Sequence, residues 1–179
     1  VLDPSTASFK HRAGTIVDIL LGAATEHDPP AENHTMMAIR GLANLFLTPT
    51  GRPLAISQFA IIQRAVATAA STTTNRNLLV ATATLYINYA VLFQSEQTSS
   101  FEHVLAALDI LAKILSTQSD SETLYRAMVA VGTLAGLGDE EASAAKEIYG
   151  VEDALKSALS KASEPRMRRV AGEIRALLK

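Results

Sequence analysis

Cysteine and tryptophan are both absent from this chain of 179 residues. Without a thiol there is no disulfide, no thiolate nucleophile and no zinc–thiolate centre, and the absence fits a reducing compartment. Aromatic residues are only 5% of the chain. Their place is taken by alanine and leucine, which fill helix interfaces without straining rotamers. No charge of one sign dominates either. Sixteen basic residues face 18 acidic ones, a net charge of −2, so no global field favours nucleic acid or an anionic membrane. Strand signals are nearly missing, and neither a signal peptide nor a transit peptide is expected from the opening residues. A chain of this length accommodates one domain with a sizeable core or one compact repeat array. Its start at Val1 suggests a domain cut from a longer protein.

What remains is helical periodicity. The pattern predicts helices near 12–24, 33–47, 54–70, 76–95, 101–117, 121–137, 140–149, 151–161 and 165–178. Pro29-Pro30 and "TPTGRP" (48–53) punctuate the first of these, and residues 71–74 read as a polar loop. Ser99 with Glu102 forms a candidate capping box. Asp120 or Ser121 caps the helix that follows, and Gly136 and Gly138 end it. Leu42, Phe46, Leu85, Leu92, Leu111 and Leu134 are the expected core. From Asn77 to Ser95 the chain runs 19 residues without a charge, close to a membrane-spanning length. Asn77, Thr82, Thr84, Asn88, Gln94 and Ser95 within it are costly in hydrocarbon, whereas a helix covered on most sides gives the same pattern. No membrane span is expected.

A period then emerges. Asn44 and Asn88 lie 44 residues apart, and the helix starts at Asn33, Asn77 and Ser121 keep that spacing. Two helices per repeat of about 40–47 residues is the signature of armadillo and HEAT-type arrays, whose units bury their apolar faces by stacking. The expected fold is an all-α, armadillo/HEAT-like α-solenoid, residues 1–179 forming one domain. Stacking aligns three stripes: Asn33/Met37/Arg40/Asn44, Asn77/Ala81/Thr84/Asn88 and Glu122/Arg126/Val129/Thr133. Neighbouring helices pack about 8–10 Å apart, which sets Arg40 and Arg126 roughly 20 Å from each other. Guanidinium forks grip carboxylates, and amides between them bond a peptide backbone. Such a groove suits an extended acidic peptide.

The segments "NHTMMAIRGLANLF" (33–46), "NRNLLVATATLYINYAV" (75–91), "TLYRAMVAVGTL" (123–134), "GVEDALKSALSKASEPRMRRV" (150–170) and the final "IRALLK" resemble, in order, those of the PUL domain, the C-terminal module of the phospholipase-activating and ubiquitin-fusion-degradation family. The resemblance runs from about residue 15 to the end of the chain. It implies an armadillo-like array that binds the short, acidic, tyrosine-bearing C-terminal tail of valosin-containing protein, the AAA ATPase segregase of the ubiquitin–proteasome system. The family's arginines fall on Arg40 of "AIRGL" and Arg126 of "YRAMVAVGTL", and its "NY" pair on Asn88 and Tyr89. Asn44 stands where the family varies. The resemblance implies further helices upstream in family members, so one end of the array is expected to be unsealed. The resemblance implies a monomeric, cytoplasmic or nuclear adaptor. The alternative is an accessory module fused to a thioredoxin-like or isopeptidase enzyme.

Nothing in the chain reads as an enzyme, and no cofactor, metal, small-molecule substrate or nucleic-acid partner is expected. His11, His27, His34 and His103 are scattered without ligand spacing. Glu26-His27-Asp28 reads as a solvated turn beside two prolines. "GTLAGLG" (132–138) has no preceding strand and no following lysine, so helix termination explains its glycines. No histidine or carboxylate is placed to activate a serine. Asn33-His34-Thr35 is formally a glycosylation acceptor, discounted at a helix start. Arg166, Arg168, Arg169, Arg175 and Lys179 read as a solvated helix face.

Overall fold

In a computed structural model, residues 14–15, 17–22, 32–96, 101–162 and 164–179 are described. Among them every regular element is an α-helix. Residues 17–22 are helical, followed by α1 (Glu32–Leu45), α2 (Gly51–Ser57), α3 (Phe59–Thr72), α4 (Arg76–Glu96), α5 (Phe101–Thr117), α6 (Ser121–Ala135), α7 (Asp139–Glu147), α8 (Val151–Lys161) and α9 (Pro165–Leu177). The chain divides into two compact units, Val1–Asn88 and Tyr89–Lys179. Pro29-Pro30, Ser99 of the capping box and Glu26-His27-Asp28 lie outside the described residues, as do residues 12, 13, 16, 23 and 24 of the expected helix 12–24, whose other residues are helical.

In the first unit α1 ends in a tight connection. The Thr48 hydroxyl donates to the Leu45 carbonyl at 2.6 Å and accepts from the Gly51 N–H at 3.0 Å, closing α1 and opening α2 with one side chain. A Cβ on Gly51 would stand 2.0 Å from the Leu45 carbonyl oxygen, so only glycine fits there. The helix expected over 54–70 is two helices, α2 and α3, joined at Gln58 (φ −108°, ψ 10°). Gln58 N–H closes α2 on Leu54, while its carbonyl starts α3 through Ile61 and Ile62. Hydrophobic periodicity runs through such a break unchanged, because both helices bury one side: Ala55 and then Phe59, Ile62 and Val66.

Two cross-links set α1 beside α4. At their starts, Glu32 accepts from Thr73 Oγ1 at 2.5 Å and from Asn75 Nδ2 at 3.1 Å. Near the other end, Asn88 Nδ2 donates to the Ala43 carbonyl at 2.9 Å. The ties keep the same order along both helices, start to start and then Ala43 of α1 to Asn88 within α4, so α1 and α4 run in parallel over this stretch. Asn75 also caps α4, its side-chain oxygen accepting from the Asn77 and Leu78 N–H groups. The polar loop expected over 71–74 is therefore residues 73–75, because α3 continues to Thr72. Residues 76–95 are long and apolar enough to cross a membrane by length and composition, yet 61% of that window is buried. Leu78, Leu79, Ala83, Leu85 and Tyr86 are all core, which explains why the run carries no charge.

In the second unit α5 packs on α6 and on α8, and α6 packs on α9. Asp120 caps α6, accepting from the Thr123 N–H and hydroxyl, each at 2.8 Å. Gly136 receives the helix end, its N–H bonding the Gly132 carbonyl. Leu42, Phe46, Leu85, Leu92, Leu111 and Leu134 are all buried in their units. The starts of α1, α4, α6 and α9 are spaced by 44, 45 and 44 residues, extending the expected three-fold period to a fourth helix.

Candidate functional site

The stripe on α1 is exposed throughout. Asn33, Met37, Arg40 and Asn44 all face solvent, and Leu47, 57% exposed, continues the stripe past the helix end. The reason is geometric. Spacings of three and four set these residues on the flank opposite Thr35, Ala38, Ile39, Leu42 and Ala43, which are buried. Among the described residues no carboxylate pairs with Arg40. Apolar Met37 lies one turn before it and amide-bearing Asn44 one turn after.

The expected α4 positions fare differently. Thr84 is half-buried and spends its hydroxyl on the Val80 carbonyl at 2.7 Å. Asn88 is half-buried, and its amide is the tie to Ala43 already described. Tyr89 is 1% exposed and stacks obliquely on Phe93 at 5.7 Å between ring centroids. Its ring belongs to the core and offers no surface to a ligand.

Arg126 lies in the second unit, 35% exposed, its Nε donating to Glu122 Oε1 at 2.7 Å. The partner is the one that an i,i+4 spacing predicts, but the cluster is larger than that. Arg166, from the start of α9, donates through Nη2 to Glu122 Oε2 at 3.0 Å and through Nε to Glu164 Oε2 at 2.8 Å. Its guanidinium lies over the Tyr125 ring at 4.4 Å. The Glu122 carboxyl is held below its ordinary range, chiefly by the Arg126 hydrogen bond; partial burial opposes this and Arg166 adds to it. Glu164 is likewise depressed, first by the Ser121 hydroxyl and then by Arg166. One to three turns further on, Val129, Gly132, Thr133, Ile174 and Leu177 line an open cleft of about 280 Å³ between α6 and α9.

Reading the C-terminal cations as a plain solvated face misses Arg166. Arg169 fits that reading, paired with Glu173 on an exposed flank. Arg166 does not, because its partners come from α6. The 44-residue period carried the signal, since one period beyond Glu122 lies Arg166 itself. Among the described residues no group of three or more His, Cys, Asp or Glu is arranged to hold a metal ion.

The family model described as the PUL domain matches residues 1–173. This chain belongs to the PUL domain family. The match begins at the first residue, upstream of the resemblance read from the sequence. Among curated proteins, this PUL domain is similar to "Phospholipase A-2-activating protein" of Xenopus laevis, 28% identical over 126 residues. That stretch is 70% of this chain and 15% of the relative, so the chain corresponds to a small part of that protein.

Proposed function

We propose that this PUL domain is a peptide-binding adaptor in the ubiquitin–proteasome pathway, capturing the acidic C-terminal tail of the AAA ATPase valosin-containing protein. In this reading residues 1–179 act as one armadillo/HEAT-like module that is monomeric, non-enzymatic and cytoplasmic or nuclear. Membership of the PUL family supports it, as does the similarity to the phospholipase A-2-activating protein. The repeat reading draws support from the cross-links within each unit. Glu32–Asn75, Ala43–Asn88, Ser116–Lys161 and Glu122–Arg166 join residues 43, 45, 45 and 44 apart. That is how successive repeats meet when each helix packs on its own counterpart.

The observation that carries the binding reading is Arg40, an exposed guanidinium with no carboxylate pairing it among the described residues. A carboxylate arriving there gains a charge-assisted bond without breaking one. Arg126 supports the reading from the second unit. Its partner Glu122 is one turn away, and a pair of that kind is weak enough to exchange. Asn44 and Thr84 contribute at most amide or hydroxyl contacts, and Asn88 is engaged in the fold. The test is calorimetric titration with the tail peptide and with a copy whose Asp and Glu are replaced by Asn and Gln. Binding of the acidic peptide alone is expected; equal affinity for the two would refute recognition by charge.

A further inference from the structure

In the second unit one carboxylate is gripped from two helices. Arg126 holds one oxygen of Glu122 and Arg166 holds the other, at 2.7 and 3.0 Å. Two guanidinium groups converging on one carboxylate, one per oxygen, form a site whose shape and charge match any carboxylate, not only the one now in it. The site is also built. Arg166 is stacked on Tyr125, and its Nε is fixed on Glu164 at 2.8 Å. Arg126 stands on α6, whose first turn is locked by the Asp120 cap. A ligand that met these forks would find them already ordered, so little side-chain freedom would be lost on binding.

We propose that Arg126 and Arg166 together form a carboxylate cradle for the acidic peptide, with Glu122 as the internal carboxylate that fills it in the free protein. The proposal rests on the acidic-peptide reading above and adds to it a third arginine and a built-in competitor. Charge decides the role of Glu122. Arg126 and Arg166 are balanced by Glu122 and Glu164, with the Asp120 carboxylate beside Glu164, so the cradle at rest carries no excess positive charge to hold unrelated anions. When a peptide carboxylate takes the place of Glu122, the forks keep their hydrogen bonds. Glu122 swings to solvent, from a position where its side chain is already 27% exposed. Affinity is then the difference between the two carboxylates, and the peptide wins by the further contacts it makes outside the cradle. Glu122 is thus a specificity residue, tuned against short acidic segments that reach the cradle alone.

The experiment uses the 179-residue chain with three variants, Glu122→Gln, Arg166→Ala and Arg166→Lys, and two probes, the acidic tail peptide and inorganic phosphate. Thermal melts establish that each variant folds. Calorimetry reads the peptide, and the Nε–Hε resonances of Arg126 and Arg166 read both probes. Glu122→Gln removes the competitor and is expected to tighten peptide binding about twofold to fivefold, the scale of a weak pair lost. Arg166→Ala is expected to weaken binding about tenfold, and Arg166→Lys to recover part of that, since an ammonium is not a fork. Phosphate is expected to shift both resonances more strongly in Glu122→Gln than in the parent. If the peptide binds while Glu122→Gln and Arg166→Ala leave its affinity unchanged, the cradle is wrong and the acidic-peptide reading stands. If the peptide does not bind at all, the reading fails and phosphate decides the cradle: stronger shifts in Glu122→Gln retain it, unchanged shifts overturn it.

Discussion

The side-chain amide of Asn88 donates to the main-chain carbonyl of Ala43 at 2.9 Å, 45 residues earlier in the chain. The carbonyls in the last turn of a helix have no partner inside it. Here Leu42, Asn44 and Leu45 give theirs to the N–H groups of Phe46, Leu47 and Thr48. Ala43 gives its own to Asn88, so a polar residue in the apolar run of α4 completes the end of α1. Asn88→Ala is expected to destabilise the fold by about 1–2 kcal/mol, a lost hydrogen bond plus an unsatisfied acceptor. Asn88→Asp, facing oxygen with oxygen, should cost more. Urea unfolding checks both, and an unchanged midpoint for Asn88→Ala would remove this tie from the account.

Leu85 and Leu111 are fully buried, one in each unit. Truncating either to Ala leaves a cavity and is expected to cost about 2–5 kcal/mol, lowering the melting temperature by several degrees. A Leu85→Ala protein melting within about a degree of the parent would contradict its core placement.

Gly132 and Gly172 are both helical, but their surroundings differ. A Cβ at Gly132 would meet Ile174 Cγ1 at 3.1 Å, whereas at Gly172 it would meet nothing within 4 Å. Ile174 is buried and β-branched, so it has little freedom to give way. Gly172→Ala should therefore stabilise by about 0.5–1 kcal/mol through helix propensity. Gly132→Ala should lose that gain to strain and end up destabilising by about 1 kcal/mol. Equal stabilisation by both would mean that α6 and α9 are not as close as the structure has them.

Glu122 gives a pH signature. Its folded-state pKa lies below the ordinary 4.5, so its contribution is present above that value and lost as pH falls through the folded one. The stability gap between parent and Glu122→Gln should be widest above the ordinary carboxylate value of 4.5 and narrow as pH falls below it. Glu32, also depressed, remains in both proteins and cancels from the difference, whereas Glu164 shares Arg166 with Glu122 and needs its own Glu164→Gln control. A gap that stays constant from neutral pH down to about pH 3 would show that the arginines do not favour the charged form.

Much of the fold was legible in the sequence because it depends on local signals. Periodicity, the Asp120 cap and the glycine stop gave α4 to α9 to within a few residues, and the charge-free run of α4 correctly pointed to burial. Periodicity alone could not reveal the break at Gln58, since α2 and α3 bury the same side of the chain. At the candidate site, the exposure of Arg40 and the Glu122 partner of Arg126 follow from helix geometry. The burial of Tyr89 does not, because which flank of the apolar α4 is covered is a tertiary property that the local pattern does not carry. Arg166 was hidden for the same reason. Its exposed helix face looked solvated until the neighbouring helix start was known.

The central claim, capture of an acidic tail through exposed arginines, is tested most directly by titrating one tail peptide into the parent, Arg40→Ala and Arg126→Ala at two salt concentrations. Each arginine lost should weaken binding by about 1.5–3 kcal/mol, the scale of a charge-assisted hydrogen bond. Melting temperature should barely move for Arg40→Ala, since exposed substitutions fall within about 0.5 kcal/mol. Added salt should weaken the parent more than either variant, because screening acts on the charge each variant has lost. Equal affinities and equal salt dependence across the three proteins would contradict the account and leave Arg40 an ordinary surface arginine.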